Sequence, residues 1–232
     1  MIIQIYTFTD PETACAAVHL GVNYIGFVAG QYGIVDGELN FSEARAIISS
    51  LPPKAVSVAL TLSEDIKEIL HMASEVRPDI VHISSDPDQV GVSAMKELRS
   101  RLNSNIRLLK AIPVMDDDSI VLAKRFAAVS DLLLLDSKDQ GLPGVGATGR
   151  IHNWNLSRQI VDAVSIPVIL AGGLTAENVG AAIQKVRPCG VDSNTSTNLP
   201  GSQIEKDLKR IAAFVEAVHS AENIMESDVP QT

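Results

Sequence analysis

Residues 166–186 read IPVILAGGLTAENVGAAIQKV. A β-branched run over Pro167–Ala171, two adjacent glycines and a stretch of helical period over Ala176–Val186 make one strand–turn–helix unit. The alternation continues in both directions. Strand-like runs precede it at Ile2–Tyr6, Tyr24–Val28, Ala55–Leu60, Ile80–Ser84, Ile106–Ile112 and Leu132–Asp136, and one follows at Gly190–Ser193. Helical stretches fall between them at Pro11–Leu20, Ser42–Ser50, Ser63–Glu75, Val90–Leu102, Asp117–Ala127 and Trp154–Val164, with a last one at Ile204–His219. Eight such units in 232 residues predict an α/β fold, a (β/α)8 TIM barrel in a single domain over residues 1–220. Ala221–Thr232 is polar and reads as a frayed, disordered tail. An open doubly wound sheet would need fewer strands and a glycine-rich turn after the first, where Tyr6-Thr7-Phe8-Thr9 stands instead.

Composition narrows the classes of partner. The formal net charge of −9 repels a nucleic-acid backbone or an anionic membrane, so an anionic ligand must be met by local groups. Cys15 and Cys189 are distant and belong to no C-x-x-C or Cys/His cluster, which predicts neither a disulfide framework nor a metal site. Nothing in the sequence implies a cofactor. The N-terminus lacks the pattern of a secretory signal, and no apolar run approaches the roughly 18 residues of a membrane span, so a cytoplasmic location is expected. The sequence leaves monomer and homodimer open.

In a barrel of this kind chemistry gathers at the carboxyl ends of the strands. Gly172, Gly173 and Leu174 follow the seventh strand, where bare amides and a helix N-terminus can hold a phosphate without any Lys or Arg. Asn194, Thr195 and Ser196 follow the eighth and add hydroxyl and amide groups of the kind that share an anion. Ser137–Asn153 is the longest loop and carries Gly141, Gly144, Gly146 and Gly149, the composition of a ligand-covering lid. On the fifth strand, Lys110 would point into the barrel if its apolar neighbours faced the helices, and a desolvated lysine there can form a Schiff base. His82, on the fourth strand, reads as a hydrogen-bonded core histidine.

Four blocks in this order resemble the phosphoribosylanthranilate isomerases, sugar-phosphate isomerases of tryptophan biosynthesis: Leu134-Leu135-Asp136, then GVGATGRIHNW over residues 144–154, then AGGLTAENV over residues 171–179, then Arg187-Pro188 to Asp192. The resemblance covers nearly the whole chain. It implies an Amadori aldose-to-ketose rearrangement of a small phosphorylated sugar, with Asp136 as general acid, the two glycine- and hydroxyl-rich loops as phosphate site, and Gly146, Gly149 and Arg150 in the substrate loop. The sequence also departs from that family. Its cysteine base, in a K-I-C-G motif, is replaced within Gln4-Ile5-Tyr6-Thr7; its strand-four Q-L-H-G reads His82-Ile83-Ser84-Ser85; and its carboxylate-binding arginine has no counterpart in residues 30–41, where Asp36 and Glu38 would repel a carboxylate. The phosphate half and the acid are retained while the base and the aromatic-acid pocket are not, which points to an altered substrate or base. Tyr6 and Asp192 are the candidate bases: a phenol titrates near 10 and needs a neighbouring cation, whereas two carboxyls can divide acid and base work. Two other readings stay open: a Schiff-base lyase or aldolase using Lys110, and a non-catalytic barrel that binds a sugar phosphate.

Overall fold

The computed structural model describes residues 1–138, 144–146 and 149–227. Among the described residues nine strands run in chain order as β1 (Ile2–Ile5), β2 (Tyr24–Ala29), β3 (Glu38–Leu39), β4 (Val56–Thr61), β5 (Ile80–Ile83), β6 (Arg107–Pro113), β7 (Leu132–Asp136), β8 (Val168–Leu170) and β9 (Gly190–Ser193). All pair in parallel in the order β1-β9-β8-β7-β6-β5-β4-β2, and β1 also pairs with β2, which closes eight of them into a barrel. The two-residue β3 extends the end of β2. Eight α-helices among the described residues cover the outside: α1 (Pro11–His19), α2 (Phe41–Ser50), α3 (Ile66–Val76), α4 (Val92–Arg101), α5 (Asp118–Ala127), α6 (Trp154–Ala163), α7 (Val179–Val186) and α8 (Leu208–Ser227). The predicted (β/α)8 barrel is therefore the observed fold. No helix among the described residues is long and apolar enough to cross a membrane.

Local chemistry sets the helix starts. Asp10 caps α1 by accepting the Thr13 N–H at 2.7 Å, with Pro11 in the first turn. Asn40 and Glu43 form a reciprocal capping box on α2. Ser63 lies two residues outside the cap of α3, which is Asp65, and its hydroxyl donates to Glu68 at 2.7 Å. Two expectations need correction. First, α7 does not open directly from the glycine pair: a turn over Thr175–Asn178, closed by Asn178 Nδ2 on the Gly173 carbonyl at 2.9 Å, delays it to Val179. Second, α8 begins at Leu208 instead of Ile204 and continues to Ser227, so 221–227 is no tail. Ala221 is buried, and the Met1 ammonium meets Glu222 Oε1 at 2.5 Å, tying the two chain ends together. Residues 228–232 lie outside the described residues.

Alternation along the strands divides two cores. Ile3, Ile5, Ile25, Phe27, Val81 and Leu108 face the helices. Tyr24, Val58, Ile80, Leu109, Leu134 and Ile169 fill the barrel centre. The same alternation turns Gln4, Tyr6, His82, Asp136 and Asp192 inward, toward the carboxyl ends of their strands. Space for the Tyr6 ring comes from Gly26: a Cβ there would lie 2.5 Å from the ring carbons. Gly26→Ala is expected to destabilise the barrel by about 1–3 kcal/mol through overpacking, seen as a lower urea midpoint at unchanged slope.

Candidate active site

A cavity of about 530 Å³ opens at the carboxyl ends of the strands. Its wall contains Tyr6, Asp136, Asp192, Gly146, Gly149, Gly172, Gly173, Leu174, Asn194, Thr195 and Ser196, so ten of the predicted site residues and the central acid share one space. Arg150 is the exception: it does not line the cavity, and its residue is exposed, although its backbone passes close over Gly173.

Asp136 ends β7. Its Oδ1 accepts the Ser137 N–H at 2.7 Å. A Cβ on Gly146 would stand 2.6 Å from Asp136 Oδ2, and one on Gly172 3.1 Å from Oδ1, so both glycines, each with positive φ, leave room around the carboxyl. Burial lifts its pKa to about 7, against the hydrogen bonds from Ser137. Asp192, on β9, stands beside Gln4 in the β1–β9 register and accepts Gln4 Nε2 at 3.0 Å. Burial raises it to about 7 as well; Gln4 opposes the shift, the Asp136 charge adds to it and Lys206 opposes it. The Asp136 charge thus reaches Asp192 across the cavity.

Tyr6 is buried, and its hydroxyl meets His82 Nδ1 at 2.8 Å. Burial, then the Asp192 charge, push its phenol well above the ordinary value. Burial and the Lys110 charge hold His82 neutral, with a pKa of about 3, and its Nε2 has no partner among the described residues.

The strand-end loops meet around the glycine pair. Gly172 and Gly173 have φ of +85° and +64°, and a Cβ on Gly173 would reach 2.9 Å from the Gly149 carbonyl. Gly149 also lies beside Thr195 Oγ1. A short 3-10 helix, Thr195–Thr197, follows β9. The backbone N–H groups of Gly172, Gly173, Thr195 and Ser196 have no protein partner among the described residues. Ser196 differs from its expected part: its hydroxyl meets Ser193 Oγ at 2.6 Å and the Leu174 carbonyl at 2.8 Å, joining the two loops. From the predicted lid, residues 144–146 cross the barrel mouth. Val145 exchanges hydrogen bonds with Ser84, N–H to carbonyl and hydroxyl to carbonyl, each at 2.9 Å. Gly141 lies outside the described residues.

The sequence of this site has relatives. The family model described as N-(5'phosphoribosyl)anthranilate (PRA) isomerase matches residues 4–217. The chain belongs to the phosphoribosylanthranilate isomerase family. N-(5'-phosphoribosyl)anthranilate isomerase 2 of Methanosarcina mazei is 36% identical over 223 residues, covering 96% of this chain and 95% of its own. The isomerase of Moorella thermoacetica is 35% identical over 95% of this chain and 90% of its own. The crystal structure of phosphoribosyl anthranilate isomerase from Thermotoga maritima superposes with a TM-score of 0.79 at 26% identity, covering 95% of this chain and all of that one. A phosphoribosylanthranilate isomerase is also known in complex with reduced 1-(o-carboxyphenylamino)-1-deoxyribulose 5-phosphate, with a TM-score of 0.74 and 26% identity.

Within this isomerase family barrel, Lys110 does not take the position its Schiff-base reading required. Leu109 and Ala111 face the barrel centre, so the intervening Lys110 faces the helices. Its ammonium donates to the carbonyls of Ile83 (3.2 Å) and Ser85 and lies 5.6 Å from the Phe126 ring centre. Burial lowers its pKa to about 7, yet it does not line the cavity. No group of three or more metal-ligating side chains occurs among the described residues.

Sequence reading gave no role to Gln4, although it opens the segment Gln4-Ile5-Tyr6-Thr7, nor to Lys206. The Lys206 ammonium contacts Asn198 Oδ1 at 2.5 Å, the Asn194 carbonyl and Oδ1 at 3.1 Å each, and Thr197 Oγ1 at 3.4 Å, bracing the loop after β9. The helical stretch expected over Ile204–His219 includes it, whereas it forms an isolated bridge with Asn198.

A carboxyl whose folded pKa is raised stabilises the native state below its unfolded value, and that stability is lost as pH rises through the folded value. Asp136 and Asp192 are therefore expected to lower stability progressively between about pH 4 and 7. Carbon-13 NMR of labelled aspartate should show two carboxyls titrating far above the rest, and Asp136→Asn should move the Asp192 transition downward.

Proposed function

We propose that this chain is an aldose–ketose isomerase that rearranges an N-(5'-phosphoribosyl)amine to the 1-amino-1-deoxyribulose 5-phosphate, the reaction class named for its relatives. The observation that carries the reading is the pair of buried carboxyls, Asp136 and Asp192, both raised to about 7 in one cavity with the glycine loops. One of two coupled acids can hold a proton while the other is ionised at neutral pH. A proton donor and a proton acceptor then face the same bound sugar.

In this reading the phosphate rests on the free amides of Gly172, Gly173, Thr195 and Ser196. Protonated Asp136 gives its proton to the ring oxygen as the nitrogen lone pair expels it, which opens the sugar to an iminium ion. Ionised Asp192 removes the C2 proton, and the C2–H electrons move toward nitrogen to give an enaminol. The enaminol then loses its hydroxyl proton to Asp136 and gains a proton at C1 from Asp192. The substrate keeps its atoms and both carboxyls return to their starting states. Tyr6 is the weaker base: its phenol is pushed upward, its hydroxyl already meets His82, and the charge that acts on it is the carboxylate of Asp192. The lyase reading loses its amine, because Lys110 faces the helix layer.

Assayed on phosphoribosylanthranilate and on analogues with other amines, the protein should produce the ketose. Asp136→Asn and Asp192→Asn should each lower kcat by about 10²–10⁴-fold, the usual worth of a positioned acid or base. The pH profile of kcat/KM should be a bell about pH 7, since protonating both acids removes the base and ionising both removes the donor. An Asp192→Asn enzyme with full activity would defeat this assignment. Inorganic phosphate or ribose 5-phosphate should also raise Tm, through about 2.7 kcal/mol of added stability at a hundredfold excess over Kd. Gly173→Ala, whose Cβ would meet the Gly149 carbonyl, should abolish that rise. Stabilisation by ribose 5-phosphate without turnover of any amine would favour a binding barrel instead.

A further inference from the structure

We propose that His152 is a positioning residue for the acid of the reaction: braced by Ser157, it turns Nδ1–H toward Asp136 Oδ1, so that the transferable proton stays on Oδ2 and the carboxylate left behind is steadied. The inference deepens the isomerase reading and rests on it.

His152 comes directly before Asn153, which caps α6 by accepting the Asn155 N–H at 3.0 Å. Its Nε2 meets Ser157 Oγ at 2.7 Å, and Ser157 is fully buried one turn into the helix. These two positions are where helices commonly carry an apolar staple that fixes the entry of the chain. Here the staple is a hydrogen bond, so it fixes the rotation of an imidazole as well. The other ring nitrogen, Nδ1, is buried and has no partner among the described residues. A buried nitrogen of this kind is costly to leave unpaired.

What Nδ1 faces is set by Gly172. From the place a Cβ would take there, Nδ1 is 2.8 Å away, the Arg150 carbonyl 3.1 Å and Asp136 Oδ1 3.1 Å. Nδ1 and Oδ1 are therefore separated by no more than the roughly 6 Å over which one group shifts the titration of another. Both oxygens around that point are acceptors when Asp136 is ionised, and a bare lone pair on Nδ1 would be repelled by them. The hydrogen therefore belongs on Nδ1, with the Ser157 hydroxyl donating to Nε2. Burial holds the imidazole neutral, with a pKa of about 4, so it brings a dipole and no net charge.

The two oxygens of Asp136 then have different work. Oδ1 already receives the Ser137 N–H at 2.7 Å and the Ser137 hydroxyl at 3.3 Å, and His152 adds a donor on that side. Oδ2 faces Gly146 on the cavity wall. A proton on Oδ2 leaves the donors of Oδ1 undisturbed and meets the bound sugar; when it passes to the ring oxygen, its electron pair stays on the carboxylate and His152 keeps its own hydrogen. Among the described residues no Lys or Arg lines this cavity: the other ionisable groups on its wall are Asp36, Asp192, Tyr6 and His82, and His82 is committed to Tyr6. The His152 dipole can steady the Asp136 ion without drawing off the proton beforehand, as a cation would.

Nitrogen-15 NMR of the free protein should show His152 as the Nδ1–H tautomer, and a proton on Nε2 would overturn the inference. In the double variant His152→Phe, Ser157→Ala an apolar staple keeps the helix entry while the donor is lost. Carbon-13 titration should then place Asp136 about one pH unit higher than in the wild type, the worth of one hydrogen bond to an ion. His152→Asn, which keeps a donor near the Nδ1 position, should bring the midpoint back. The alkaline limb of kcat/KM should rise with the midpoint in the double variant, and kcat should fall about three- to tenfold at unchanged KM. An Asp136 midpoint that stays in place while Tm falls would make His152 a helix staple only and would leave the isomerase reading intact. A shifted midpoint in a protein that turns over no phosphoribosylamine would sink the isomerase reading and leave the placement of His152 standing.

Discussion

Two carboxyl groups confined in one cavity cannot both shed their protons cheaply, and the architecture around the barrel mouth is organised by that constraint. Asp136 and Asp192 sit on strands separated by β8 alone, and both point inward because each occupies the inward phase of its strand. The donors supplied to them are limited: Ser137 for one, Gln4 for the other. An arginine at this spot would fix both as ions and end their capacity to exchange a proton. Glutamine satisfies one oxygen of Asp192 without adding charge. The cation that acts on Asp192, Lys206, is itself depressed to about 7 by burial and is turned to the loop carbonyl and amide oxygens.

If the cavity takes a phosphate ester as proposed, the groups it offers beside its acids are peptide dipoles. Backbone amides supply partial positive charge without perturbing the carboxyls as a full ammonium would. Glycine at 172 and 173 suits that proposal: φ is positive at both, and the missing side chains let the backbone at 149–151 close over them. The hydroxyl pair Ser193 and Ser196 suits it too. By meeting each other and the Leu174 carbonyl they lock the loops after β8 and β9 together, so that amides from two separate segments converge.

Much of this was legible in the sequence because parallel strands buried on both faces form short β-branched runs, and eight were countable. The side on which each residue falls was less so. Lys110 was assigned to the lumen only on condition that its neighbours face outward, yet Leu109 and Ala111 occupy the lumen, as Leu132 and Leu134 do on the next strand. With apolar residues required on both faces of a barrel strand, polarity alone does not reveal phase. The start of α7 was missed because Thr175-Ala-Glu-Asn178 has helical composition, while Asn178 uses its side chain to close a turn. Lys206 was invisible for a different reason: its four oxygen partners come from a loop and a 3-10 turn that have no periodicity to read.

The exchange at position 6 has a consequence for shape as well as for proton transfer. From β1, the Tyr6 side chain crosses the lumen to reach His82 on β5, three strands away around the barrel, resting its ring on Gly26 as it passes. A small side chain could not make that span. Tyr6 therefore closes the barrel mouth from beneath and forms part of the cavity floor, and His82 Nε2 on the same buried pair has no partner among the described residues. Tyrosine at 6 is workable only with a hydrogen-bonding residue at 82 and no side chain at 26, because a buried phenol without a partner costs on the order of 1–3 kcal/mol. The three positions act as one unit. Once that unit fills the end of the first strand, the base of the proposed reaction has to come from another strand, and Asp192 on the adjoining β9 is an inward carboxyl that the proposal can use.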